Sequence, residues 1–255
     1  MPTQLTAERH LDGLREAMLA FVRYGDRAGL SAPVPTCPGW TVRELVAHQG
    51  MVHRWAAANL RGERSDPDVL ERAGLDAADP LEWLADGAIE LVAAWAKAPV
   101  DVRTVVFLND APGPLPFWAR RQCHETTIHA VDALAASLGR APRVDEVWMD
   151  AELAADGIDE LLCGFLTRSK SRLRTDGPGL LVVAPDDRDE WWEVRLSPDP
   201  AVSTRRTRSM LPDAPPADAD WTLTGPAVEL YLRLWNRGSD AVDVPDWSER
   251  ARVTW

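Results

Sequence analysis

Five histidines occur among the 255 residues, and two of them share the segment Arg121-Gln-Cys-His-Glu-Thr-Thr-Ile-His129. Glu125 and His129 are four positions apart, so on a helix they stack on one face. A carboxylate and an imidazole placed this way can share a metal ion. His124 lies five residues from His129, about 140° around a helix at about 100° per residue, and so points elsewhere. The same spacing excludes the H-E-x-x-H metalloprotease pattern, which needs histidines at i and i+4. A third ligand should come from a neighbouring helix. His48 is the candidate, because it interrupts the apolar stripe Leu45, Val52 and Trp55 and so faces an interior. His53 is again about 140° off that face. Two nitrogens and one carboxylate leave a coordination position open for water or substrate, as in catalytic zinc sites. They also suit non-haem Fe(II) or another divalent metal. A Glu and a His at this spacing are equally compatible with a surface pair, and a single inward histidine with a hydrogen-bonded core residue.

Helices must hold these groups. Leu11, Leu14, Met18, Phe21 and Val22 recur at helical spacing, predicting a helix over residues 5–28 with Gly29 near its end. After a proline-containing loop, Ser31 to Trp40, Thr41-Val-Arg-Glu44 matches a capping box and opens a second helix carrying His48. The polar stretch Arg61 to Asp79 reads as a connection. Pro80 starts a third helix, Leu81 to Lys97, and a fourth is expected from about Phe117 to Leu138, ended by Gly139. Four helices predict a four-helix bundle over residues 1–142. Residues 143–255 read as a smaller α+β domain. They hold a helix near Asp150 to Arg168, strands at Leu180–Ala184 and Trp191–Leu196 joined by a hairpin, and a strand at Trp221–Thr224. A helix follows over Pro226 to Arg237. Asp213 to Asp220 is expected to be a surface loop.

Composition limits the partners. Apolar residues make up 45% of the chain and the net charge is −12, which disfavours nucleic acid. The cluster Arg205, Arg206 and Arg208 is too small for a binding groove. No run approaches the ~20 apolar residues of a membrane span. Met1 to His10 lacks a signal-peptide pattern, so a soluble cytoplasmic protein without membrane partners is expected. Cys37, Cys123 and Cys163 form no CxxC pair, and each is expected to be a packing residue or a reduced thiol.

Three segments carry a resemblance. Thr36-Cys-Pro-Gly-Trp-Thr-Val-Arg-Glu-Leu-Val-Ala-His48, followed by Val52-His-Arg-Trp55, resembles the first half of the mycothiol-dependent maleylpyruvate isomerase family. Phe117 to Ala133 resembles its second metal motif. Leu223-Thr-Gly-Pro-Ala-Val-Glu-Leu-Tyr-Leu-Arg-Leu-Trp-Asn-Arg237 is similar to the signature helix of its C-terminal domain. The resemblance implies a DinB-like metal-binding bundle followed by a sterol-carrier-like α+β domain, with His48, Glu125 and His129 as zinc ligands. It also implies mycothiol as a thiol cosubstrate, a small electrophilic substrate and an actinobacterial source.

On that basis the chain is expected to be an isomerase or thiol S-transferase. A metal-dependent hydrolase and a non-catalytic small-molecule-binding protein with a structural metal are the alternatives. Arg121, one turn before Glu125, could face an acidic substrate or pair with Glu125. Arg237 matches a family arginine and could bind substrate or interact with its helix C-terminus. Asp132 could orient His129 from behind or lie on the surface. Trp40 and Trp55 are read as packing residues.

Overall fold

A computed structural model describes residues 5–207 and 215–253. The chain divides into two compact units. One holds Leu5–Val106 and Pro112–Pro142, and the other holds Phe107–Ala111 with the described residues from Arg143 onward. Met1–Gln4, Arg208 of the arginine cluster and Asp213–Ala214 of the expected surface loop lie outside the described residues. Among the described residues no helix is long and apolar enough to cross a membrane.

The first unit is helical, with four long helices as the sequence predicts. They are α1 (Ala7–Ala28), α2 (Val42–Arg61), α4 (Pro80–Lys97) and α5 (Pro114–Leu138). A shorter α3 (Pro67–Leu75) lies inside the stretch expected to be a connection. Its signals are local: Asp66 caps the backbone amides of Asp68 and Val69, and Pro67 occupies the first turn, where its missing N–H costs nothing. Nine residues with few apolar side chains give too short a period to stand out.

Thr41 caps α2 as expected. Its hydroxyl accepts from the Glu44 amide while the Glu44 carboxylate accepts from the Thr41 amide. The other critical helix, α5, is buried along every face from Phe117 to Ala135. A helix surrounded by its neighbours shows no amphipathic stripe, and its polar residues must find partners inside the protein.

Trp83 of α4 packs against glycines of both α2 and α3. A Cβ on Gly50 would lie 2.1 Å from the Trp83 ring, and one on Gly74 would lie 2.6 Å from it and 3.0 Å from the Ala47 Cα. The Trp83 indole therefore fills space that two glycines leave open, and α3 rests on the backbone of α2.

The second unit contains α6 (Ala151–Asp159), which continues as a π-helical turn over Glu160–Phe165 in place of one uninterrupted helix to Arg168. Its sheet comprises β1 (Gly179–Pro185), β2 (Glu190–Leu196), β3 (Val202–Thr207) and β4 (Trp221–Gly225), in the order β3-β2-β1-β4. The expected β1–β2 hairpin is present, with Val182 opposite Glu193, and β4 runs parallel to β1. β3 was not expected. It is a half-exposed edge strand of Val, Ser, Thr and Arg with little apolar alternation. Its Arg206 pairs with Glu193 across the strands. Helix α7 (Ala227–Leu234) ends before Arg237, because Asn236 turns the chain with a φ of 60°. A last short helix, α8 (Trp247–Arg250), follows.

The seating of α3 yields a test. Replacing a helical glycine by alanine gains ~1 kcal/mol of propensity, but overpacking against a rigid indole and a backbone atom costs ~1–3 kcal/mol. Gly74→Ala is therefore expected to lower stability in urea denaturation. A stabilised variant would show that α3 is not seated on α2 through this contact.

Candidate metal centre

His48 projects from α2, and Glu125 and His129 project from successive turns of α5. Their side chains converge, with one ligand atom from each lying within 4.8 Å of the other two. Both histidines direct Nε2 towards the same carboxylate oxygen, Oε1 of Glu125, at 3.9 Å from His48 and 3.5 Å from His129. The other oxygen, Oε2, accepts from Nη2 of Arg121 at 2.6 Å. Arg121 is wholly buried and Glu125 nearly so. Oε1 is thus the carboxylate atom turned towards the imidazoles.

Each imidazole is gripped from behind by a second carboxylate. His129 donates Nδ1–H to Oδ2 of buried Asp132 at 2.9 Å. His48 donates Nδ1–H to Oε1 of Glu71 at 3.3 Å. A proton held at Nδ1 leaves the Nε2 lone pair as the coordinating one, the arrangement that carboxylates impose on metal-binding histidines. The indole of Trp40 lies beside both rings, 5.0 Å from the His48 centroid and 6.2 Å from that of His129, with only 20° between the planes in the second pair.

The protonation energetics follow from this geometry. Burial opposes the charged form of His48, but its hydrogen bonds with Glu125 and Glu71 outweigh burial and push its pKa up to about 9. Burial likewise acts to raise the Glu125 carboxyl. Arg121, then His129 and His48, more than reverse that and hold it well below the usual carboxylate range. The hydrogen bond to His48 is the main cause lowering Glu71. His53, by contrast, is pulled down to about 3 by burial, helped by Arg54. Its Nε2 lies 2.9 Å from the side-chain amide of Gln49 and 2.9 Å from the Thr126 hydroxyl. His124 lies edge-on to His10, with ring centroids 5.9 Å apart.

The donor set fits a divalent cation. Bonds of ~2.0–2.2 Å in tetrahedral geometry separate ligands by about 3.4 Å, so the observed 3.5 and 3.9 Å need only a small contraction. Two neutral nitrogens and one carboxylate oxygen suit zinc or Fe(II). Cys37, His129 and Asp132 form a second cluster that shares His129, with Sγ 3.2 Å from Oδ2 of Asp132.

Arg237 belongs to the other unit, where its Nη1 donates to the Trp235 carbonyl at 2.8 Å just past the end of α7. Trp55 stacks edge-on with Trp118 at 5.2 Å. Two contributors escaped sequence reasoning. Glu71 lay in the supposed connection, where the Asp66-Pro67 cap was the available signal for a helix. Trp40 carries no spacing signal for its position against the histidines.

Comparison with known proteins identifies the family. The model described as the mycothiol maleylpyruvate isomerase N-terminal domain matches residues 11–134, and the corresponding C-terminal domain model matches residues 152–254. The chain belongs to this family. Two solved structures, of the mycothiol-dependent maleylpyruvate isomerase and of a point variant of it, share its fold. Each is 19% identical, with a TM-score of 0.59, and the match covers 95% of this chain and 96% of the other. No curated protein matches.

Two outcomes are expected at this centre. In metal-free protein, the proton on folded His48 stabilises below its ordinary pKa of 6.5, and that contribution is lost as pH rises towards about 9. Folded His53 stays neutral down to about 3, so stability falls as pH drops below 6.5, where only the unfolded chain protonates it. Depressed Glu125 adds to the loss on the acid side. Urea denaturation of the metal-free protein should therefore show maximal stability near pH 6.5, and a steady gain from pH 6.5 to 9 would contradict the assignment. Separately, Glu71→Gln should weaken zinc binding ~10-fold, the low end of the range for an outer carboxylate, because Glu71 is partly solvent-exposed. Unchanged affinity in a chelator competition would remove Glu71 from the centre.

Proposed function

We propose that His48, Glu125 and His129 hold a divalent cation, zinc or Fe(II), and that the centre activates a low-molecular-weight thiol, mycothiol. The reaction is cis–trans isomerisation of a small conjugated electrophile or transfer of the sulfur to it. The observation that carries this reading is the convergence of two Nε2 atoms on one oxygen of a buried carboxylate whose other oxygen is occupied by Arg121. Family membership supports the choice of thiol and of maleylpyruvate-like electrophiles.

A bound cation would supply Lewis acidity, favouring the thiolate over a thiol whose ordinary pKa is about 8.5. The chain supplies the rest. Glu125 brings negative charge without protonating near neutrality, because Arg121 stabilises its ionised form. Asp132 and Glu71 fix the tautomers and directions of the two imidazoles. Trp40 stacks beside the His129 ring and tilts against that of His48, placing apolar surface next to both histidines.

Three protein ligands leave space for a thiol. Arg121 is committed to Glu125 by its ion pair, so its contribution is to the carboxylate and not to substrate.

Elemental analysis of protein purified without added metal should find about one equivalent of zinc or iron. His129→Ala should lose the metal and the thiol-dependent turnover of maleylpyruvate-like substrates together, while His124→Ala keeps the metal. Turnover that needs no thiol, or a His129→Ala variant with full metal content, would refute the reading.

A further inference from the structure

We propose that Thr36 and Cys37 are positioning residues for the centre, acting through Asp132 on His129; this rests on the metal-centre reading above. Asp132 is wholly buried, so its carboxylate must be met by donors. The Thr36 hydroxyl donates to Oδ1 at 2.5 Å, and the Cys37 thiol donates to Oδ2 at 3.2 Å. Oδ2 also accepts from Nδ1 of His129. With a donor on each oxygen, the carboxylate cannot rotate about its axis without breaking a hydrogen bond. Its plane is set, and with it the direction of the His129 Nδ1–H bond. The opposite ring atom, Nε2, is then aimed at Glu125.

The segment that supplies these donors is itself fixed. The Val34 amide donates to the Trp40 carbonyl at 2.9 Å, Cys37 N–H donates to the Val34 carbonyl at 3.0 Å, and Trp40 N–H donates to the Cys37 carbonyl at 3.1 Å. Pro33 and Thr41 pair as an isolated bridge at the base of the loop. One closed loop thus reaches His129 twice, along its edge through Asp132 and across its face through Trp40. Cys37 acts here as a hydrogen-bond donor, a role a hydroxyl can fill and an alkyl group cannot.

Co(II) substitution tests this, because its visible bands report ligand geometry directly. The full chain would be stripped of metal and titrated with Co(II) against a competing chelator, for the wild type, Cys37→Ala, Cys37→Ser, Thr36→Val and Thr36→Ser. Cys37→Ala and Thr36→Val should each weaken Co(II) binding by ~10-fold, within the range for outer partners of metal ligands, and shift the visible bands. The serine variants should restore both to near wild type. Urea midpoints of the metal-free proteins identify any variant that fails to fold. If Cys37→Ala fails, Cys37→Ser and the Thr36 pair still decide the matter.

Wild-type affinity and bands in both Cys37→Ala and Thr36→Val would overturn the positioning role alone. So would equal losses in the serine and non-donor variants. A sulfur-to-cobalt charge-transfer band in the wild type, absent from Cys37→Ser, would make Cys37 a ligand and overturn it too. Wild-type protein that binds no Co(II) would sink the centre itself.

Discussion

A carboxylate charge inside a helical bundle is unfavourable unless it is matched, and Glu125 is such a charge. The surroundings of α5 answer it in three directions. Arg121 takes one oxygen from a turn earlier on the same helix, His129 approaches from a turn later, and His48 approaches from α2. Burial of a lone ionised carboxylate would shift its protonation before the fold tolerated it. The combination of Arg121 with two imidazoles holds the ionised form instead. The same matching gathers a negative oxygen and two imidazole Nε2 atoms, the donors a divalent cation would take on displacing their protons. Stability and the proposed metal site therefore make the same demand on this part of the bundle.

Beyond the three converging atoms lies an outer layer of acceptors and donors. Glu71 and Asp132 hold the far nitrogens of the imidazoles, and the loop before α2 holds Asp132. These groups come from separate segments: α3, α5 and a turn tied by its own backbone hydrogen bonds. The short helix and the proline-containing loop do more than link long helices, since α3 delivers Glu71 to the back of His48 and the loop delivers donors to the Asp132 behind His129.

Much of this was legible in the sequence, for identifiable reasons. The capping box at Thr41, the apolar period of α1 and the glycine at the end of α5 mark three helices of the bundle directly. The i, i+4 relation of Glu125 and His129 marks their shared face, and His48 stands out because a polar ring interrupts an apolar stripe. What was hidden depends on packing. α3 is too short and polar for its period to show, so Glu71 was lost with it. β3 lies at a sheet edge, where half-exposed residues show no clear alternation. The choice of Arg121 between substrate and Glu125, and of Asp132 between surface and His129, depends on burial that α5 acquires only when surrounded. Its near-complete enclosure removes the amphipathic signal that would have revealed which face is which.

The placement of Arg121, Glu125, His129 and Asp132 on one enclosed helix has a mechanical result. The spacing of their backbone positions is set by the helical pitch, and the loop before α2 orients the His129 ring without changing that spacing. Freedom is left chiefly to the α2 imidazole and to the side that the short helix supports. Divergence among related chains could then retune the centre by shifting the α2–α3 side while the α5 half stays constant, much as a vice adjusts by moving one jaw.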